Sequence, residues 1–219
     1  MTSRRTWLRG MAALLPLLLV RRAIARGEVE KGVYRVKGDV RVNGAAAKRG
    51  QDIRPGDRIT TGPGAELVFV AGEDAFLVRA RSDLVYGANA GTQVLRVVTG
   101  AVLSVFGRGR RGIETPTATI GIRGTGLYLE AEPERTYVCT CYGEVELAAR
   151  DDPSARETVR TRHHEAPRYI MAKGAPQMLM QAPVINHTDA ELILLESLLG
   201  REPPFVNQPG LNPNYGTTY

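Results

Sequence analysis

Cysteine and histidine are nearly absent from this chain. Its 219 residues contain two cysteines, Cys139 and Cys141, and three histidines, His163, His164 and His187. Two cysteines exclude a disulfide framework, and without Cys-x-x-Cys-His there is no c-type haem attachment. No histidine occurs in the first 130 residues, so Ser–His–Asp chemistry has nothing to work with there. A phosphate-cradling glycine loop of P-loop spacing and a His-Glu-x-x-His helix are both missing. The carboxylate pair Asp151-Asp152 runs straight into Pro153 and Ser154, which marks a turn. These absences point away from an enzyme. Long apolar runs are lacking too: MAALLPLLLV is about ten residues, too short to cross a bilayer. Aromatics make up only 6% of the chain while glycine reaches 24 residues, a balance suited to turn-rich β structure rather than a helical bundle.

What is present begins with an address. The basic start MTSRRTWLRG precedes the apolar run, and Ala23-Ile24-Ala25 supplies a small-x-small site, the order of an export signal cleaved near Ala25. Arg4-Arg5, followed by Trp7 and Leu8, resembles the twin-arginine export motif. A second pair, Arg21-Arg22, lies between the apolar run and the cleavage site, where the general secretory route disfavours positive charge. The expectation is a periplasmic protein with no permanent membrane anchor. The full chain carries 29 Lys+Arg against 23 Asp+Glu. Arg4, Arg5, Arg9, Arg21 and Arg22 leave with residues 1–25 and no acid does, so the mature balance is 24 against 23, or +1. Nucleic acid therefore loses its compositional support as a partner.

From Tyr34 to Asn43 apolar and polar residues alternate, the period of a half-buried strand. Glycine and proline breaks then separate short strand-like stretches: Arg58 to Thr61, Glu66 to Val70, Ala75 to Val78, Val94 to Val98, Val102 to Phe106, Ala118 to Ile122 and Leu127 to Glu130. Such spacing predicts an all-β sandwich, roll or barrel. A single helix is expected at Asp189 to Leu199. Thr188 and Glu191 form a capping box there, Leu192, Leu195 and Leu199 follow at helical spacing, and Gly200 ends the run before Pro203-Pro204.

The succession GDVRVNG (Gly38 to Gly44), GDRITTGPGAELVFV (Gly56 to Val70), GAVLSVFG (Gly100 to Gly107) and IETPTATIGIRGTGLYL (Ile113 to Leu129) resembles the FecR-type periplasmic domain over about residues 33 to 148. The most recognisable part is Thr115 to Thr125. The resemblance implies a non-enzymatic β sandwich or roll that works by binding, with an envelope protein or a small ligand as its partner. The best-known members relay a signal from an outer-membrane transporter to a cytoplasmic sigma factor. The expectation is that no anti-sigma segment precedes the apolar run and that only the binding module carries over. The expected organisation is an export signal at 1–25, a FecR-like β domain at 26–148, and an extension at 149–219 with one short helix and a Pro/Asn-rich tail. Within the shared segment, Gly121 and Gly124 interrupt a strand, and Arg123 projects from the bend into a polar interior site or into solvent.

The two cysteines remain. In Tyr137 to Leu147 the alternation puts Cys139 and Cys141 on the face of Val145 and Leu147. Residues i and i+2 of a strand stand about 7 Å apart on a ~3.3 Å rise, at the limit of a disulfide. Two buried small apolar side chains, a redox pair and a metal clamp all stay open. For a metal (zinc, iron or copper) the candidate ligands are Cys139, Cys141, His163, His164 and His187. Alternation through Arg160 to Glu165 places only one of His163 and His164 on the cysteine side, and His187 sits just ahead of the helix start. The sequence thus supports an exported binding module, in sensing or assembly at the envelope, with a Cys/His site. The alternative is a metal-binding or redox protein that uses the β domain as scaffold.

Overall fold

The computed structural model describes residues 31–87 and 93–206; the expected export signal and the end of the tail lie outside these. Among the described residues the fold is all-β with one short helix. The strands are β1 (Gly32–Lys37), β2 (Val40–Val42), β3 (Ala45–Ala46), β4 (Arg58–Thr61), β5 (Glu66–Ala71), β6 (Asp74–Val78) and β7 (Asp83–Val85). They continue with β8 (Gln93–Val105), β9 (Arg110–Glu114), β10 (Ala118–Ala131), β11 (Arg135–Ala149), β12 (Arg156–Thr161), β13 (Arg168–Met171) and β14 (Leu179–Gln181), and α1 spans Asp189–Leu198.

All fourteen strands join one open sheet, branched at its long strands. β8 pairs with β7 and, in parallel, β9 along its first half, then with β6 and β10 along its second. The change of partner falls at Gly100, whose φ of +94° and approach to Ser82 leave no room for a Cβ. β10 and β11 pair along almost their whole length. β12 and β13 then add to the two halves of β11, so residues beyond 148 continue the same sheet.

Alternation sorts the buried side chains onto two faces. Leu67, Phe69, Phe76, Val102, Leu127 and Leu129 point into the larger core that the curled sheet encloses. Val68, Val70, Ala75, Leu77, Leu103 and Val105 point the other way, where Leu192, Leu195 and Leu198 of α1 and Phe205 cover them. The helix matches the sequence pattern closely: Thr188 is its N-cap, the capping box with Glu191 is complete, and Leu199 is the C-cap. Among the described residues no helix is long and apolar enough to cross a membrane.

Three expectations need correction. The alternating run from Tyr34 is two strands, broken by a bend at Gly38-Asp39. Val94 to Val98 and the expected stretch from Val102, which ends at Val105, belong to one strand, as do Ala118 to Ile122 and Leu127 to Glu130, because the intervening glycines bend the strands without ending them. The third correction concerns the cysteines: they do not share a face with Val145 and Leu147. Val145 and Leu147 lie in the enclosed core, whereas Cys139 and Cys141 lie under the helix. The register shows why. Arg123 pairs with Glu144, but Gly126 pairs with Tyr142 and Leu127 with Thr140, so a bulge interrupts the ladder. Gly143 occupies it at φ +96°, where a Cβ would meet Thr125 Oγ1 at 2.8 Å and the Gly124 carbonyl at 2.9 Å. A bulge reverses facing, and Val138 on one side of it points the same way as Val145 on the other.

Candidate metal centre

The bulge turns Cys139 and Cys141 toward α1, and two further segments meet them there. The first is the bend after β12. The backbone N–H of His164 donates to the Cys141 carbonyl at 3.0 Å, and His164 itself adopts φ +56°. The second is the residue before the helix cap. His187 lies flat on Tyr128, with ring centroids 4.7 Å apart and planes within 21°. Tyr128 is the cross-strand partner of Cys139, so the ring that seats His187 also neighbours the thiol.

Cys139 Sγ, Cys141 Sγ and one nitrogen each of His164 and His187 lie within 4.8 Å of one another, and all four residues are buried. His164 Nδ1 is 3.4 Å from Cys139 Sγ and 3.0 Å from His187 Nε2. Ligands of one tetrahedral ion, at about 2.3 Å for sulfur and 2.0–2.1 Å for nitrogen, stand roughly 3.3–3.8 Å apart along the tetrahedron's edges. The His164–Cys139 and His164–His187 pairs already have nearly that separation.

The outer nitrogens are fixed as well. The Ile185 carbonyl can only accept, so His187 Nδ1, 2.6 Å away, carries the hydrogen and Nε2 presents its lone pair to the cluster. On the other side Asp189 Oδ1 accepts from His164 Nε2 at 3.0 Å, which leaves Nδ1 to face the cluster. A ligand nitrogen inward with a carboxylate or carbonyl on its far side is the usual support of a metal-bound imidazole.

The electrostatics follow from the same contacts. The Cys139 thiol is held well below its usual range, first by a hydrogen bond from Cys141 and then by one from His164, against the opposing effect of burial. Burial pushes the Cys141 thiol up, and the neighbouring Cys139 adds to it. Burial alone would lower His164, but its hydrogen bonds to Asp189 and Cys139 outweigh this and raise it to about 9. These shifts favour an anionic Cys139 beside a cationic His164, and a divalent cation would take the place of the protons on His164 and Cys141. Two thiolates and two neutral imidazoles balance its charge.

Of the five residues singled out in the sequence, four converge and His163 stands apart. Consecutive side chains diverge at the His164 bend, and His163 Nε2 instead meets Asp189 at 2.9 and 3.0 Å. His163, His164 and Asp189 form a second group of close donors that shares His164 with the first. Asp189 was not legible as part of a site. It reads as an acid in the first turn of a helix, and the only hint is that the capping box already has its acid in Glu191.

Elsewhere, Arg123 projects into solvent and lines an open cleft of ≈ 420 Å³ with Arg108 and Arg110. Asp151 and Asp152 are exposed, and Asp152 caps its own turn by accepting from Ser154.

No protein-family model and no curated protein matches the chain. Two crystal structures, each of a proposed anti-sigma factor from Parabacteroides distasonis, are similar to it in part. The first has 13% identity and a TM-score of 0.49, and the match covers 64% of this chain and 64% of that one. The second has 13% identity and a TM-score of 0.48, covering 65% of this chain and 73% of that one.

Proposed function

We propose that this protein is an exported, non-enzymatic, FecR-like binding module of the bacterial envelope, in which one tetrahedral zinc ion fastens the C-terminal extension to the β domain. The observation that carries the metal assignment is the convergence of two thiols and two imidazoles, all buried, within 4.8 Å. Tetrahedral S2N2 donors suit zinc, and a site whose four positions are all filled by protein is structural rather than catalytic. A redox cluster with thiolates on one iron and imidazoles on another is disfavoured, because sulfur and nitrogen at 3.4 Å leave no space for two irons and their sulfides. The binding-module and envelope parts of the reading rest on the export signal at residues 1–25 and on the FecR-like blocks.

The test is metal analysis of the chain purified from the periplasmic fraction. One zinc per chain is expected, with the residues before about 26 removed. Protein that is recovered there without metal, and takes up none, would refute the zinc assignment. Protein confined to the cytoplasm would refute the envelope assignment.

A further inference from the structure

The metal site explains four of the five Cys and His residues and leaves His163 without a task. One acceptor is enough to orient His164, and Asp189 Oδ1 provides it. His163 adds a second imidazole to the same carboxylate, touching both oxygens. It also differs in exposure. The His163 side chain is 12% exposed, against 4% for His164 and 1% for Asp189, and both cysteines and His187 are fully enclosed. Phe205 lies over the His163 ring at 4.7 Å, so the imidazole stands at the edge of the covered region.

We propose that His163 and Asp189 form an outer metal-capture site, through which the ion reaches and leaves the buried Cys139, Cys141, His164 and His187 set. This rests on the zinc reading above. A buried site needs a route by which a hydrated ion sheds its water, and one donor at the start of the route must reach solvent, as His163 does. A carboxylate and an imidazole suit that step, because they bind a partly hydrated divalent ion whose remaining positions stay with water. Two protein donors hold it weakly and four hold it strongly, so transfer inward is downhill. His164 is common to both groups, facing Asp189 through Nε2 and the cysteines through Nδ1. Its ring stands between the two positions and must swing to let the ion pass. The bend that carries it lies outside any strand, so this motion need not break the sheet. Only metal–donor bonds change along the route, and the protons displaced from Cys141 and the His164 ring leave to water.

The experiment uses zinc-loaded protein and follows release of zinc to an excess of chromogenic chelator, comparing the native chain with His163→Phe. Phenylalanine keeps a ring against Phe205 and removes the donor. The expected result is unchanged zinc content and melting temperature, with release slowed by about tenfold or more. By microscopic reversibility, uptake should slow by the same factor. Release at the native rate would overturn the proposal. Loss of zinc from the His163→Phe protein would overturn it as well, since His163 would then support the inner site itself. A native chain that holds no zinc would instead sink the underlying metal reading, an outcome the zinc content separates from the other two.

Discussion

If zinc ties the extension down, removing it should release α1 while leaving the enclosed β core folded. Five side chains of the extension, Leu192, Leu195, Leu198, Leu199 and Phe205, are buried against the outer face of the sheet. At about 1.5–3 kcal/mol each, their burial stabilises the attachment by roughly 8–15 kcal/mol. Ordering the ten residues of α1 costs about 10–20 kcal/mol in backbone entropy alone. Burial by itself falls short, and a structural zinc of order 10 kcal/mol brings the two sides level. The donors explain the leverage: the ion joins β11 to residues 164 and 187, which are otherwise linked to the cysteines by hydrogen bonds. The assay is thermal melting by circular dichroism at the helical band, with and without chelator, alongside limited trypsin digestion. Chelator should cause early loss of the helical signal and cleavage in the extension, for example after Lys173 or Arg201, before the β core melts. Cys139→Ser should reproduce this without chelator and show no further response to it. A single native transition that ignores chelator would refute the reasoning and leave two small side chains in an apolar wall.

Other expectations follow from individual contacts. Replacing Arg4 and Arg5 together by Lys should leave full-length precursor in the cytoplasm on a fractionation blot, because a twin-arginine receptor reads that pair; normal export would contradict the assignment. Gly143→Ala forces a Cβ against Thr125 and Gly124 at a left-handed φ, and should cost about 1–3 kcal/mol in urea unfolding. It should lower zinc content too, since the same bulge aims the cysteines at the helix. Leu195→Ala empties a fully buried position under α1 and should destabilise by about 2–5 kcal/mol, read from the shift in denaturation midpoint. Asp189→Asn keeps the shape but removes the charge behind His164, so competition titration should find zinc held about 10–100-fold more weakly.

The sequence by itself determined what depends on near neighbours. Period-two runs placed β4, β5 and β6 within a residue of their ends, and Thr188 with Glu191 placed the helix start. Both signals are local: a pleat is read from successive side chains, and a cap from residues three apart. The candidate ligands were legible for a different reason, as the chain has so few Cys and His to choose from. Which of them meet was decided by the tertiary structure. Cys139, His164 and His187 are 25 and 23 residues apart in sequence, and only the pairing of β11 with β12 and the seating of α1 brings them together. The bulge at Gly143 decided the face. Facing along a strand is inferred by counting, and one extra residue reverses the count for everything beyond it. The glycines flag a place where that can happen, but the pairing partner settles whether it does. Asp189 went unseen for the same reason, because its partners His163 and His164 reach it only through the fold.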